Sequence, residues 1–264
     1  MAIEQPFPHS SFKSHILPGP IINGEPSALH LLGRSELSQS PLLVPLCDLY
    51  NLAFGEAHAS HPPWIPSTVR RFEHPSDIIN ELGPDDFIIY IITSVPAPQP
   101  AHDGEPLLPK VYATSSVRRY RHKADTSHLD DIQRAFLRLQ FAPDDKLDDW
   151  ELKVLAVDPS IQKQGLASRL LALTEAEIVR RVQEEALQQA SVGAQGTGVG
   201  EAGETGRDGK RIRLQLSAIK SINFEFYKNR GYTLCEERWY PKGLLMAKED
   251  FAMVWLDKIV EVGA

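Results

Sequence analysis

Cysteine is scarce in this sequence. Cys47 and Cys235 are the only two in 264 residues, too few for a disulfide framework, which points to a reducing compartment. The cytoplasm is the expectation, with the nucleus as the alternative. Long apolar runs are missing too. The longest, "FIIYIITSV" at 87–95, is less than half of the roughly 20 residues a membrane span needs, and reads as a buried strand. The first residues, "MAIEQPFPHS", carry an acid and two prolines where a secretory signal would have basic residues and an apolar core. Basic charge is outnumbered, 28 Lys and Arg against 35 Asp and Glu, for a net charge of −7. That balance argues against nucleic acid as a partner, since phosphate neutralisation needs a basic face. It is compatible with a cationic substrate or with an ordinary solvated surface. No Gly-x-Ser-x-Gly elbow occurs. His58 and His61 have a metal-like spacing, but "HASHPP" falls at a helix break without a Cys or carboxylate cluster. A zinc site would need about three or four ligands, so no metal is expected.

What is present is ordinary globular composition, 42% apolar and 24% charged. Residues 1–26, rich in proline and polar residues, read as an arm, and 27–264 as one domain. A first strand is expected near 27–36. A helix over 40–56 would have Ser40 as cap, Pro41 at the first helical position and Pro45 in an early turn. Residues 67–82 read as one short helix, or two divided at Pro75. Strands follow at 86–95 and 110–120, joined by a proline-rich loop. The polar stretch 121–148 holds a short helix near "SHLDDIQRAFLRL". Then come a strand at 150–157 and a long helix at 163–188, with Leu166, Leu170, Leu173, Ile178 and Val182 near helical spacing. A strand at 211–219, a short helix ended by Gly231 and two strands at 233–240 and 248–260 complete the chain. This order predicts a mixed α/β sheet with packed helices and one strand–helix–strand crossover. Cys235, inside an expected strand, reads as a small core residue.

Two glycine-bearing stretches compete as phosphate sites. Residues 191–209, "SVGAQGTGVGEAGETGRDG", follow a helix and precede a strand, the reverse of a nucleotide phosphate loop. They lack the Lys-Ser or Lys-Thr such a loop requires, and read as a flexible insertion. "AVDPSIQKQGLASRLL" at 156–171 has the right context. A strand runs into a turn, and the turn opens a helix whose first N–H groups have no internal partner and carry the positive end of the dipole. Gly165 leaves room for close approach, Ala167 keeps the next turn small, and Gln162 and Lys163 add donors. Glycine and alanine alone would equally suit a plain strand–turn–helix connection. The full run Leu155-Ala156-Val157-Asp158-Pro159 followed by Gln162-x-x-Gly165-x-Ala167 is more specific.

That run resembles the acetyl-CoA motif of the GNAT superfamily of N-acetyltransferases, Gln/Arg-x-x-Gly-x-Gly/Ala after a strand. The resemblance covers the order of elements from about 27 to 260. It implies a central, mostly antiparallel sheet of about six or seven strands with a splayed parallel pair and helices on both faces. It implies pantetheine contacts from the backbone of Leu155, Ala156 and Val157. The pyrophosphate would sit on the turn from Lys163 through Gln164, Gly165, Leu166 and Ala167 to Ser168, beside Gln162. Gln162 in place of Arg leaves the site with less charge unless Lys163 supplies it. A second family segment, Asn-x₆-Tyr-x₃-Gly-Phe/Tyr, has its counterpart in "KSINFEFYKNRGY". Tyr227, Gly231 and Tyr232 match. Lys220 stands at the Asn position, and Asn223, one turn before Tyr227, can take over a pantetheine contact. Tyr227 also has a core reading, as an aromatic at helical spacing with Phe224.

The resemblance implies acetyl transfer from acetyl-CoA to a primary amine by direct attack in a ternary complex, with no covalent acyl-enzyme. Such chemistry needs a base for an amine whose ordinary pKa is about 10, donors for the carbonyl oxygen, and an acid for the leaving thiolate. Tyr227 is the expected acid. Glu151 is the candidate base, at a position where some histone acetyltransferases of the family carry one; it reads equally as a solvated glutamate near a strand start. Strand alternation puts Glu151, Lys153 and Leu155 on one face, with Trp150, Leu152 and Val154 on the packed one. Asp148, Asp149, Glu236 and Glu237 could draw a cationic amine. A small-molecule amine is the favoured acceptor. The alternatives are a protein amino group and, from another class, a non-catalytic acyl-CoA-binding module. The sequence does not fix the oligomeric state.

Overall fold

The computed structural model describes residues 15–60, 70–83, 87–95, 108–120, 147–194, 211–244 and 247–262. The short helix expected near 128–138, His61, and all of the glycine-rich insertion beyond residue 194 lie outside them. In chain order the elements are β1 (His15–Pro18), β2 (Ser27–Leu32), α1 (Arg34–Ser38), α2 (Leu43–Ala59), α3 (Ser76–Leu82), β3 (Phe87–Ser94), β4 (Val111–Arg119), β5 (Leu147–Val157), a 3-10 turn (Pro159–Ile161), α4 (Leu166–Ala194), β6 (Arg211–Ile219), α5 (Lys220–Lys228), β7 (Thr233–Tyr240) and β8 (Phe251–Glu261). One sheet holds all eight strands of the described residues in the order β1-β2-β3-β4-β5-β6-β8-β7. Every pairing is antiparallel except β5 with β6. This is the mixed sheet with one parallel pair expected from the sequence, at eight strands rather than six or seven.

The added strand comes from the stretch read as an arm. Residues His15–Pro18 pair with β2 at the sheet edge, and Ile22 is buried in the main core. Pro18 does not forbid this, because an edge strand can spare one donor to solvent. The helix expected from Ser40 starts at Leu43, with Ser40 Oγ accepting from the Leu42 N–H at 3.1 Å. Of the stretch 67–82, residues 67–69 lie outside the described residues, and of 70–82 Ser76–Leu82 is helical, beginning just after Pro75.

Helices cover both faces. On one, α4 lays Leu166, Leu170, Leu171, Ile178 and Val182 against Ile88, Trp150, Leu152, Leu214 and Leu256. On the other, α1–α3 bury Leu37, Leu46, Tyr50, Ile78 and Leu82 against Ile89, Ile91, Val154 and Ala156. A third cluster of Tyr240, Ala247, Phe251, Met253 and Trp255 packs at the β7–β8 end.

One irregularity decides which residues face where. Ser116 pairs with Val154, but the next residue, Val117, pairs with Leu152, so Lys153 is an extra residue in β5, a bulge. Trp150 and Leu152 therefore face α4, while Val154 and Ala156 face α2. Leu155 and Val157 pack on the α4 side. The unbroken alternation expected for this strand is thereby corrected: Glu151 and Leu155 lie on opposite faces, because a bulge shifts the pleat by one residue.

Candidate active site

The parallel pair is short. Leu147–Glu151 is bonded to Arg211–Gln215, and beyond the Glu151–Gln215 rung the strands part. β5 continues to Val157 against β4, and β6 continues to Ile219 against β8. A wedge opens between them. Asp158 N donates to Tyr112 O at 2.8 Å. The alternation of an antiparallel ladder then turns the N–H and C=O groups of Leu155 and Val157 away from β4, into the wedge. Ala156 points its backbone to β4 and its methyl into the α2 cluster.

At the mouth of the wedge the chain turns sharply. Asp158 caps the 3-10 turn, accepting from Ser160 N at 2.8 Å and Ser160 Oγ at 2.6 Å, with Lys110 Nζ 2.7 Å away. Burial raises its pKa, and the hydrogen bonds from Lys110 and Ser160 outweigh that, so the carboxyl lies below its ordinary value. Lys163 (φ 64) and Gly165 (φ 79) both take left-handed backbone. For Lys163 this costs about 1–2 kcal/mol; for Gly165 it is the reason for the glycine. A Cβ on Gly165 would meet open space. The first backbone bond of α4 runs from Arg169 N to Gly165 O at 3.0 Å. Among the described residues, the N–H groups of Gly165, Leu166, Ala167 and Ser168 have no acceptor.

A pocket of about 480 Å³ joins this turn to the wedge. Its wall contains Leu155, Val157, Gln162, Lys163, Gly165, Leu166, Ala167, Ser168, Asn223 and Tyr227 from the residues expected on sequence. Ile161, Phe226 and Arg230 line it as well. Among the described residues no acidic side chain is in the wall, although acids outnumber bases in the chain. Gln162 Nε2 reaches Val157 O at 3.4 Å. Gln164 is absent from the wall. It turns away and donates to Asn23 Oδ1 at 3.0 Å, which ties the turn to the tight reversal Ile22–Glu25.

α5 brings the second set. Asn223, Phe226 and Tyr227 recur at one helical stripe, a periodicity that makes Phe226 legible in the sequence once Tyr227 is placed, and Arg230 follows just past the helix end. Gly231 (φ 84) ends the helix in the left-handed cap expected there. The Tyr227 ring meets Phe226 and Tyr232 edge-on, with centroids 5.0 and 5.6 Å away. Burial pushes its phenol far above the ordinary value, opposed by the nearby Arg230. Its hydroxyl has no hydrogen-bond partner among the described residues. A phenol in this state stays protonated at neutral pH and can donate. Lys220 is held by Glu237 and is outside the wall.

Glu151 is at the apex of the wedge, on the α2 face and outside the pocket wall. Arg118 Nε donates to Glu151 Oε2 at 2.9 Å, and Lys153 Nζ lies 3.5 Å from Oε1. The other acids named for an amine have cationic neighbours as well. Asp148 pairs with Arg119, Asp149 with Arg213, and Glu236 with Arg238. Cys235 corrects the core reading given to it: it is the unpaired residue of a bulge in edge strand β7 and is exposed. Desolvation and Asp257 push its thiol up to about 12, which makes it a poor nucleophile. No group of three metal-ligating side chains occurs among the described residues, and none of the described helices is long and apolar enough to cross a membrane.

No protein-family model matches the sequence, and no curated protein matches it. Several solved structures do. One is the ribosomal-protein-S18-alanine N-acetyltransferase from Escherichia coli, with a TM-score of 0.47 and 12% identity, covering 90% of this chain and 96% of that one. Another is an aminoglycoside 6'-N-acetyltransferase complexed with coenzyme A, at 0.41 and 14% identity, covering 83% and 92%. A third is Arabidopsis thaliana NAA60 in complex with acetyl-CoA, at 0.41 and 13% identity, covering 89% and 98%. Each is a protein to which this chain is similar.

Proposed function

We propose that the protein is an acetyl-CoA-dependent N-acetyltransferase that acts on a primary amine by direct attack. The observation that carries the reading is the conjunction at one pocket of three things among the described residues: a strand edge whose Leu155 and Val157 backbone groups face the wedge, a helix start with four unpaired N–H groups, and a wall without acid. An elongated ligand with an amide-bearing arm and a phosphorylated end matches this order. The backbone of Leu155 and Val157 would hold the arm as an added strand would. Gly165 to Ser168 would hold the pyrophosphate, and Asn223 would contact the arm from across the wedge.

In the reaction, the amine nitrogen attacks the thioester carbon, the carbon–sulfur bond breaks, and the sulfur leaves with the electron pair. Tyr227 supplies the proton that the thiolate takes up. The amine must lose a proton, and Glu151 at the apex of the wedge is the candidate base, acting directly or through water. Its pairing with Arg118 and Lys153 favours a second reading, a non-catalytic acyl-CoA-binding module in which Glu151 only braces the strands. Thiol release from acetyl-CoA, followed with a panel of small amines and amino-terminal peptides, separates the two. Amine-dependent release supports the enzyme. Acetyl-CoA binding with no release by any amine overturns it in favour of the binder.

A further inference from the structure

Gln162 stands where a cation is common in the motif this turn resembles, which leaves Lys163 as the cation that the turn itself contributes to the described wall. The structure brings a second in from a different element. Arg230, just past the end of α5, lies in the pocket wall beside the first turn of α4. Its guanidinium rests on the Phe226 ring, 3.7 Å from the centroid. Nη1 donates to Phe226 O at 2.6 Å, and Nη2 donates to Ser168 Oγ. A guanidinium has more N–H donors than these two contacts use. No carboxylate pairs with Arg230 among the described residues, in contrast to Arg118, Arg119, Arg180 and Arg213, all of which do. It is half-buried. A guanidinium in the wall with donors to spare is placed to take an anion from the pocket.

Resting on the acetyl-CoA reading above, we infer that Arg230 is the pyrophosphate-binding cation of this protein, taking the role that Gln162 leaves open. The contact to Ser168 fixes the guanidinium against the same helix start whose N–H groups are free. Anion, dipole and cation then converge on one place. Stacking on Phe226 holds the side chain before the ligand arrives, so less rotamer freedom is lost on binding.

The test is calorimetric titration of the wild type, Arg230→Gln and Arg230→Lys with CoA, dephospho-CoA and pantetheine. Arg230→Gln should weaken CoA and dephospho-CoA alike, by about tenfold or more, as expected for a lost charge-assisted hydrogen bond, and leave pantetheine unchanged. Arg230→Lys should recover part of the loss. The melting temperature without ligand should not move. Equal affinity of wild type and Arg230→Gln for CoA overturns the inference alone. A loss confined to CoA moves the contact to the 3′-phosphate and overturns the pyrophosphate assignment. A loss that includes pantetheine, or a lowered melting temperature that accounts for it, makes Arg230 structural. Failure of the wild type to bind CoA at all is a different result and removes the acetyl-CoA reading itself.

Discussion

The two ends of the β5–β6 pair differ in almost every respect. At the closed end, Asp149 and Arg213 form a buried two-point pair, Nε to Oδ1 at 2.6 Å and Nη2 to Oδ2 at 2.8 Å. Arg119 joins Asp148 to Glu185 of α4 alongside it. At the open end, among the described residues, there is no ladder between the strands and no acid in the wall, and the donors of the helix start have no acceptor. Charge is spent internally at one end and left available at the other. The closed end holds the strands so that the open end can stay apart without collapsing, and the bulge at Lys153 lies between the two regimes.

The largest effect should come from the closed end. Asp149→Ala removes the carboxylate that Arg213 is packed against and should cost about 3–5 kcal/mol in a denaturant titration. Replacing both residues by apolar ones of similar volume should recover most of that. If Asp149→Ala is neutral, the closed end is not the brace. At the open end, Tyr227→Phe should lower the rate of acetyl transfer by about a hundredfold, the low end for loss of a general acid, with acetyl-CoA affinity little changed. The wild-type rate should show no loss of the Tyr227 proton until well above the ordinary phenol range near pH 10, because burial raises its pKa.

Smaller effects sharpen the contrast. Gly165→Ala should cost about 1–2 kcal/mol of stability for the left-handed backbone, and should also weaken acetyl-CoA binding, because its Cβ enters the ligand's space. Asp158 gives a pH dependence. Its folded pKa is depressed, so its contribution is present above the ordinary carboxylate value of about 4 and is lost as pH falls through the folded value. Asp158→Asn should flatten stability against pH in that acid window, and an unchanged profile would remove Asp158 as the source. The smallest effect should be Gln164→Ala, about 1 kcal/mol or less for one exposed hydrogen bond to Asn23, seen as a slightly weaker hold on acetyl-CoA.

Much of the open end was legible in the sequence because local signals mark it. Asp158-Pro159 ends the strand, Gly165 marks the left-handed turn, and the leucine stripe of α4 sets its buried face. Gly231 was legible for the same reason, as a left-handed cap, whereas Tyr227 was singled out through the resemblance of its segment to the family motif. The bulge at Lys153 was not, since an extra residue in a strand leaves no mark in an alternating pattern whose neighbours are all apolar or charged. That single residue moved Glu151 to the other face from Leu155. Ion pairs such as Asp149–Arg213, 64 positions apart, arise from register, which composition does not carry. The edge strand His15–Pro18 was hidden by its prolines, and Arg230 by being one cation in a polar helix end.

The central claim is that the single-glycine turn and the wedge behind it hold acetyl-CoA. Calorimetric titration of the purified protein with acetyl-CoA, with NADH and ATP as controls, tests it most directly. The account predicts saturable, selective binding of acetyl-CoA. Folded protein that binds none of it, or that binds all three alike, would contradict the account.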